Sequence, residues 1–189
     1  GKWNSLYASN AVISSSGLTI GNSLTSASNT VTVLGNVLWN LSGGGLTFNV
    51  GGSTGNVLNV ADANQNTVLT NIGSIMLAGG GQTLAITNIT GTRNLILGTG
   101  VAGQGSVTVG GTAGFGGNTL ILSNQSWTSS YNANGIGGYV GNGSSNNTLR
   151  ILGDTFFNAK DSGFYYVGAG AAAGNLMLVS GSNALAQIL

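Results

Sequence analysis

The chain has 189 residues, long enough for one domain with a substantial core, yet only 4% of them are charged, against roughly 25% in ordinary soluble domains. The net charge is +1, from Lys2, Arg93, Arg150 and Lys160 against Asp62, Asp154 and Asp161, and the absence of a basic patch argues against nucleic acid as a partner. Cysteine, histidine and glutamate are all missing, which excludes a disulfide framework, a Ser–His–Asp or Cys–His catalytic arrangement, and the most common metal ligand.

Proceeding along the chain, one phrase recurs: a glycine or asparagine, a small polar residue, then an alternating apolar segment. It occupies Asn29–Val33, Gly55–Val60, Gly81–Ile86, Gly105–Val109, Gly117–Leu122, Asn146–Ile151 and Gly174–Leu178. Side chains on a strand alternate between faces. The pairs Val31/Val33, Leu58/Val60, Leu84/Ile86, Val107/Val109, Leu120/Leu122, Leu149/Ile151 and Leu176/Leu178 are therefore expected to point inward. Thr32, Asn59, Ala85, Thr108, Ile121, Arg150 and Met177, between them, should point outward. A uniformly apolar inner series beside a mixed outer series is the pattern of half-buried strands.

A second strand precedes most phrases: Leu18/Ile20, Leu46/Phe48, Ile75/Leu77, Leu95/Leu97 and Tyr165/Val167. A third apolar patch often follows, at Val37–Trp39, Val68–Leu69, Phe156–Phe157 and Leu185. Three short strands per unit, repeating every ~20–29 residues, predict an all-β fold: a parallel β-solenoid (β-helix) of about seven turns. The turns are expected to start near residues 18, 46, 75, 95, 120, 138 and 165. Glycine and asparagine at the corners supply positive φ, and asparagine side chains can form ladders between turns. No sustained helical periodicity is present, and no apolar run approaches the ~20 residues of a membrane span. The expectation is a single solenoid domain over residues 1–189, a subunit or piece of a longer fibre.

The segments Val140-Gly-Asn-Gly-Ser-Ser-Asn-Asn-Thr-Leu-Arg-Ile-Leu-Gly153 and Tyr166-Val-Gly-Ala-Gly-Ala-Ala-Ala-Gly-Asn-Leu-Met-Leu-Val-Ser-Gly181 resemble the repeats of autotransporter-type passenger proteins and the β-strand-repeat proteins associated with them. The resemblance is clearest over residues 135–185 and looser over 16–122. It implies a right-handed β-helix, secretion to the cell surface, and a role in adhesion or surface structure.

Chemistry has few carriers here. Asp154 and Asp161 lie near Lys160 and several aromatic residues, and paired carboxylates on a groove could cleave a polysaccharide. The competing reading, which is preferred, makes Asp154 a turn-closing residue after Gly153 and Lys160–Asp161 a solvated loop tip. No catalytic residue, cofactor or metal site is expected. The glycine-rich turns carry no regular aspartates for calcium, and Gly98–Gly103 matches a dinucleotide-loop spacing without a helix to follow it. Trp3, Trp39, Trp127 and the tyrosines suggest a sugar-stacking platform, weighed against simple burial. Ser123–Asn134, with Trp127 and Tyr131, is the expected protruding loop. The expected partners are the chain itself, stacked end to end, or a host surface, matrix or glycan. The main alternative is a carbohydrate-binding or polysaccharide-cleaving β-helix.

Overall fold

In the computed structural model, residues 1–48, 52–62, 66–87, 94–97, 106–124, 126–129, 136–158 and 164–187 are described. They form twenty short strands in successive coils, with no helix among the described residues. The first coil holds β1 (Ser5–Ala8), β2 (Val12–Ser14) and β3 (Leu18–Ile20). The second holds β4 (Thr30–Leu34), β5 (Leu38–Asn40) and β6 (Leu46–Phe48), and the third β7 (Val57–Ala61), β8 (Val68–Thr70) and β9 (Ile75–Leu77). Then come β10 (Thr83–Thr87), β11 (Asn94–Leu97) and β12 (Val107–Val109), followed by β13 (Thr119–Ser123), β14 (Ser126–Ser129) and β15 (Ile136–Asn142). A further coil carries β16 (Thr148–Leu152), β17 (Phe156–Asn158) and β18 (Phe164–Ala169), and the last carries β19 (Leu176–Ser180) and β20 (Leu185–Gln187).

Every strand pairs in parallel with its counterpart one coil away, which makes the chain the β-solenoid that its periodicity predicts. The first strands of the coils form a seven-stranded sheet, β1-β4-β7-β10-β13-β16-β19. The third strands form a six-stranded sheet, and the second strands form two short sheets, β2-β5-β8 and β11-β14-β17-β20. Seven strands at the usual spacing of ~4.8 Å give a rod of ~29 Å along the stacking axis.

The chain completes six coils of three strands before the last, two-stranded one, slightly fewer full turns than the expected seven, and two of the expected starts fall on a different face. Positions 18, 46, 75, 138 and 165 do share the six-stranded sheet, together with Val107. Leu95, however, belongs to β11 on the second-strand face, and Leu120 to β13 on the seven-stranded sheet. The phrase at Gly105–Val109 is therefore a third strand, not a first strand like its six relatives. Alternation is the same on all three faces and does not by itself say which face a strand joins.

The inner wall is apolar. Val33, Leu58, Val60, Leu84, Ile86, Leu120, Leu122, Leu149 and Ile151 are fully buried on the seven-stranded sheet. Leu46, Phe48, Ile75, Leu77, Val107 and Val109 face them from the six-stranded one. Each such Leu or Ile contributes about 1.5–3 kcal/mol of burial. Trp39 is 3% exposed and belongs to this core, with its indole N–H donating to Ser15 Oγ at 2.9 Å. Its column continues through Leu69 in β8, and Trp127 stands in register with buried Phe157 in the β14–β17 pair.

Two glycines show how closely the coils approach. A Cβ at Gly73 would lie 2.0 Å from the Gly43 carbonyl oxygen, so that corner can stack only without side chains. A Cβ at Gly138 would meet the Val107 carbonyl at 2.1 Å and the Tyr165 ring at 2.8 Å. Gly138 thus leaves room for Tyr165, which packs edge-on against Phe157 with ring centroids 5.6 Å apart.

The last strand overturns one expected phase. Met177 pairs with buried Leu149 and packs against the core, while Leu176 pairs with Thr148 and Leu178 with Arg150 on the outer face. The inward pair of β19 is Met177 and Val179, not Leu176 and Leu178. A one-residue slip exchanges the faces of a whole strand. The spacing from the corner is unchanged: Asn175, like Asn147, is followed by one outward residue and then an inward one, and Leu176 fills the outward place that Thr148 holds one coil earlier.

Candidate functional site

A column of side-chain amides runs the length of the seven-stranded sheet, at the corner that leads into it. Asn4 donates its Nδ2 to Asn29 Oδ1 at 2.8 Å, Asn29 to Asn56 Oδ1 at 2.8 Å, and Asn56 to Gln82 Oε1 at 3.0 Å. Asn118 donates to Asn147 Oδ1 and Asn147 to Asn175 Oδ1, each at 2.8 Å. Gln82 keeps the column continuous through its main-chain N–H, which donates to Asn118 Oδ1 at 2.9 Å, while its Nε2 turns to the Ser53 carbonyl at 2.8 Å.

In every step the same oxygen also accepts from the main-chain N–H of the preceding column member. A main-chain N–H can only donate, so the atom facing it must be the amide oxygen, and the ladder has one direction. The steps span 25, 27, 26, 36, 29 and 28 residues, which measures the coil length directly. Asn56, Gln82, Asn118 and Asn147 are fully buried, so each bond is made where an unmade one is costly.

The residue before each amide has positive φ: Trp3, Ser28, Gly55, Gly81, Gly117, Asn146 and Gly174, between 54° and 75°. The left-handed turn aims the amide along the stacking axis. Glycine takes this conformation without steric cost and asparagine tolerates it. For Gly55, Gly81, Gly117, Asn146 and Gly174 this is the corner role expected of the residue that opens the phrase, whereas at Asn29 the left-handed turn falls on Ser28 and Gly105 lies outside the described residues.

The 36-residue step contains a small excursion, where Thr112 and Phe115 form an antiparallel bridge around exposed Ala113 and Gly114. The loop expected at Ser123–Asn134 instead contains strand β14 over Ser126–Ser129, and Tyr131 lies outside the described residues.

The corner after the seven-stranded sheet carries the described acidic residues. Asp62 is 3% exposed, and its Oδ2 accepts from Asn36 N–H at 3.0 Å, Asn66 N–H at 2.9 Å and Thr67 Oγ1 at 2.8 Å. It ties its own corner to the coil before it, a role that composition alone did not suggest. The signal was its place one coil after Asn36, a residue that bonds in turn to Asn10. Asp154 closes a turn, as preferred: its N–H donates to Asn124 Oδ1 and its Oδ1 accepts from Asn183 Nδ2 at 3.0 Å. Asp62 and Asp154 share this corner three coils apart, ~14 Å by strand spacing. That exceeds the separations of a glycosidase carboxylate pair, ~5–9.5 Å. Lys160 and Asp161 lie outside the described residues. No group of three or more potential metal ligands occurs among the described residues.

The three tryptophans do not share a surface: Trp39 is core, whereas Trp3 is 79% exposed at the first corner. The aromatic pair that does form on the outside is Tyr139 with Tyr166, stacked with centroids 5.4 Å apart and planes 18° from parallel.

Although Leu38 and Met76 are exposed on inner coils, most of the exposed large apolar residues among the described ones lie toward the two ends. At the β1 end these are Leu6, Tyr7 and Val12, and at the β19 end Tyr166, Val167, Leu176, Val179 and Leu185. At the β1 end, Leu6, Leu18, Ile20 and Val31 also line an open hollow of about 440 Å³. No described helix is long and apolar enough to cross a membrane. No family model, curated protein or solved structure matches the chain.

Proposed function

We propose that this chain is a structural and adhesive β-solenoid of the cell exterior, whose work is mechanical and interfacial and not catalytic. The observation that supports this most is the unbroken double tie between coils. From β1 to β19 each coil is held to the next by main-chain bonds and by a side-chain amide. Such a rod resists bending and extension because displacing one coil breaks both sets of bonds together. Its surface carries almost no charge, so its contacts with a matrix, a host surface or a glycan are neutral hydrogen bonds and apolar patches. The resemblance to autotransporter-type passengers points the same way. Protease shaving of intact source cells tests the location: release of fragments of this chain is the expected result, and complete protection until lysis would sink the reading.

The alternative, a carbohydrate-binding or polysaccharide-cleaving β-helix, draws its support from the Tyr139–Tyr166 stack. The two rings occupy one face of each other, leaving the outer face of Tyr166 available to a sugar. A glycan screen decides this: saturable binding that disappears in Tyr166→Ala favours the alternative. Release of oligosaccharide that disappears in Asp154→Asn would establish cleavage.

A further inference from the structure

We infer that the two end faces of the rod are complementary to each other, and that the occupant of each is a second copy of this chain in head-to-tail register. The inference rests on the structural reading above for its purpose, while its geometry stands on the ladder alone.

The amide ladder ends asymmetrically. Asn4 donates to Asn29, but among the described residues nothing donates to Asn4 Oδ1. At the far end, Asn175 Oδ1 accepts from Asn147, while the Asn175 main-chain N–H, the group that donates along the ladder in every other coil, has no acceptor among the described residues. One end thus offers the acceptor and the other the donor of the same bond. The main chain repeats this polarity. Thr30, Val57, Thr83, Thr119, Thr148 and Leu176 each donate N–H to the carbonyl of the preceding ladder residue. In a head-to-tail junction, Ser5 of the incoming copy is the next donor in that series and the Asn175 carbonyl its acceptor.

The apolar columns continue with the same register. Leu6 stands at the foot of the column that ends in Met177, and Ala8 at the foot of the column that ends in Val179. Ile20 begins the column that ends in Val167, and Ile13 and Ala186 occupy inward positions on the second-strand face. The 440 Å³ hollow beside Leu6 and Ile20 is the socket into which Met177 and Val167 project. Val167 and Val179, inward by register, are 49% and 41% exposed, as residues are when the next coil is missing from above them. With seven charged residues in the chain, little electrostatic repulsion opposes the junction.

The absence of cysteine makes the register directly testable. Ser5 and Leu176 are the first and last members of one outward column, so Ser5→Cys and Leu176→Cys in one chain bring two thiols together only across a head-to-tail junction. Neighbouring strands at ~4.8 Å fall inside the Cα separation that a disulfide accepts. Treated with oxidised glutathione, the double variant should give a covalent ladder of dimers, trimers and longer chains on non-reducing gels. Either single variant should give none.

Equal dimer formation by the single variants would mean a symmetric contact and would overturn the inference. So would a double variant that stays monomeric on the gel while circular dichroism shows it folded. A second measurement uses Leu6→Glu, which places a charge in the socket. Sedimentation should show end-to-end association weakened at least ~10-fold, about 1.4 kcal/mol. Unmodified chain that sediments as single rods at every concentration would assign the end faces to further coils of a longer polypeptide instead. Single rods still found on the cell surface would sink only this inference. Self-associating rods found only inside the cell would sink only the proposed function.

Discussion

Asn118→Ala is the sharpest test of the amide ladder. The side chain is fully buried and makes two bonds with different partners: Oδ1 accepts from Gln82 N–H at 2.9 Å, and Nδ2 donates to Asn147 Oδ1 at 2.8 Å. Asn147 Oδ1 keeps a second donor, the Asn118 main-chain N–H, after the substitution. Gln82 N–H keeps none among the described groups, so it becomes a buried donor without an acceptor. That orphan costs about 1–3 kcal/mol, and the lost Nδ2 bond a further ~0.5–1.5 kcal/mol, giving roughly 2–4 kcal/mol in total. With a urea m-value near ~2 kcal/mol/M, the midpoint should fall by ~1–2 M at unchanged slope. Far-ultraviolet circular dichroism against urea reads this. Asn4→Ala is the matched control: it removes the same side chain at the exposed end, where Oδ1 has no donor to orphan, and should cost less than ~1 kcal/mol. Equal midpoints for the two variants would refute the claim that the ladder's buried acceptors hold the coils together.

Three further outcomes follow from the same geometry. Gly73→Ala drives a Cβ to within 2.0 Å of the Gly43 carbonyl and should cost about 3 kcal/mol or more, read as a lower thermal midpoint or loss of soluble protein. Met177→Glu should destabilise the last coil by about 1–2 kcal/mol because it buries a charge, whereas Leu178→Glu, beside exposed Arg150, should be neutral or slightly stabilising; the reverse order in urea melts would restore the phase first expected for β19. Any end-to-end association should change little between 0.05 and 0.5 M sodium chloride and strengthen in sulfate, because it is apolar and hydrogen-bonded; steep loss with chloride in sedimentation would indicate a charged interface.

Alternation with period two was readable in each strand, and so was the inner wall it builds: Val31, Leu58, Leu84, Leu120 and Leu149 stand in one column as their phrases imply. What alternation could not convey is which of three faces a strand joins. Leu95 and Val107 both alternate, yet β11 joins one face and β12 another. Phase was in fact readable, but from the corner. Counting forward from the ladder amide, asparagine or Gln82, places an outward residue first and an inward residue second in all seven strands of the broad sheet, and this count gives Met177, not Leu176. Gly138 was not readable at all, because its role depends on a ring one coil later, at Tyr165.

The ladder's direction also constrains how two rods can meet. Joining two β19 ends would leave the Asn175 N–H of each copy without the Asn4 Oδ1 that continues the ladder, and joining two β1 ends would leave each Asn4 Oδ1 without that donor. A ladder group left without its partner at a desolvated junction costs about 1–3 kcal/mol, whereas the head-to-tail contact satisfies both. A head-to-tail contact is heterologous and has no built-in stopping point unless its rotation closes a ring. In a solenoid the junction repeats the translation that relates one coil to the next, so it extends along the axis instead of closing. The glycine-or-asparagine corner therefore does two things with one geometry. It aims an amide at the next coil inside the chain, and at the two ends it leaves the donor and the acceptor that the proposed head-to-tail junction would join.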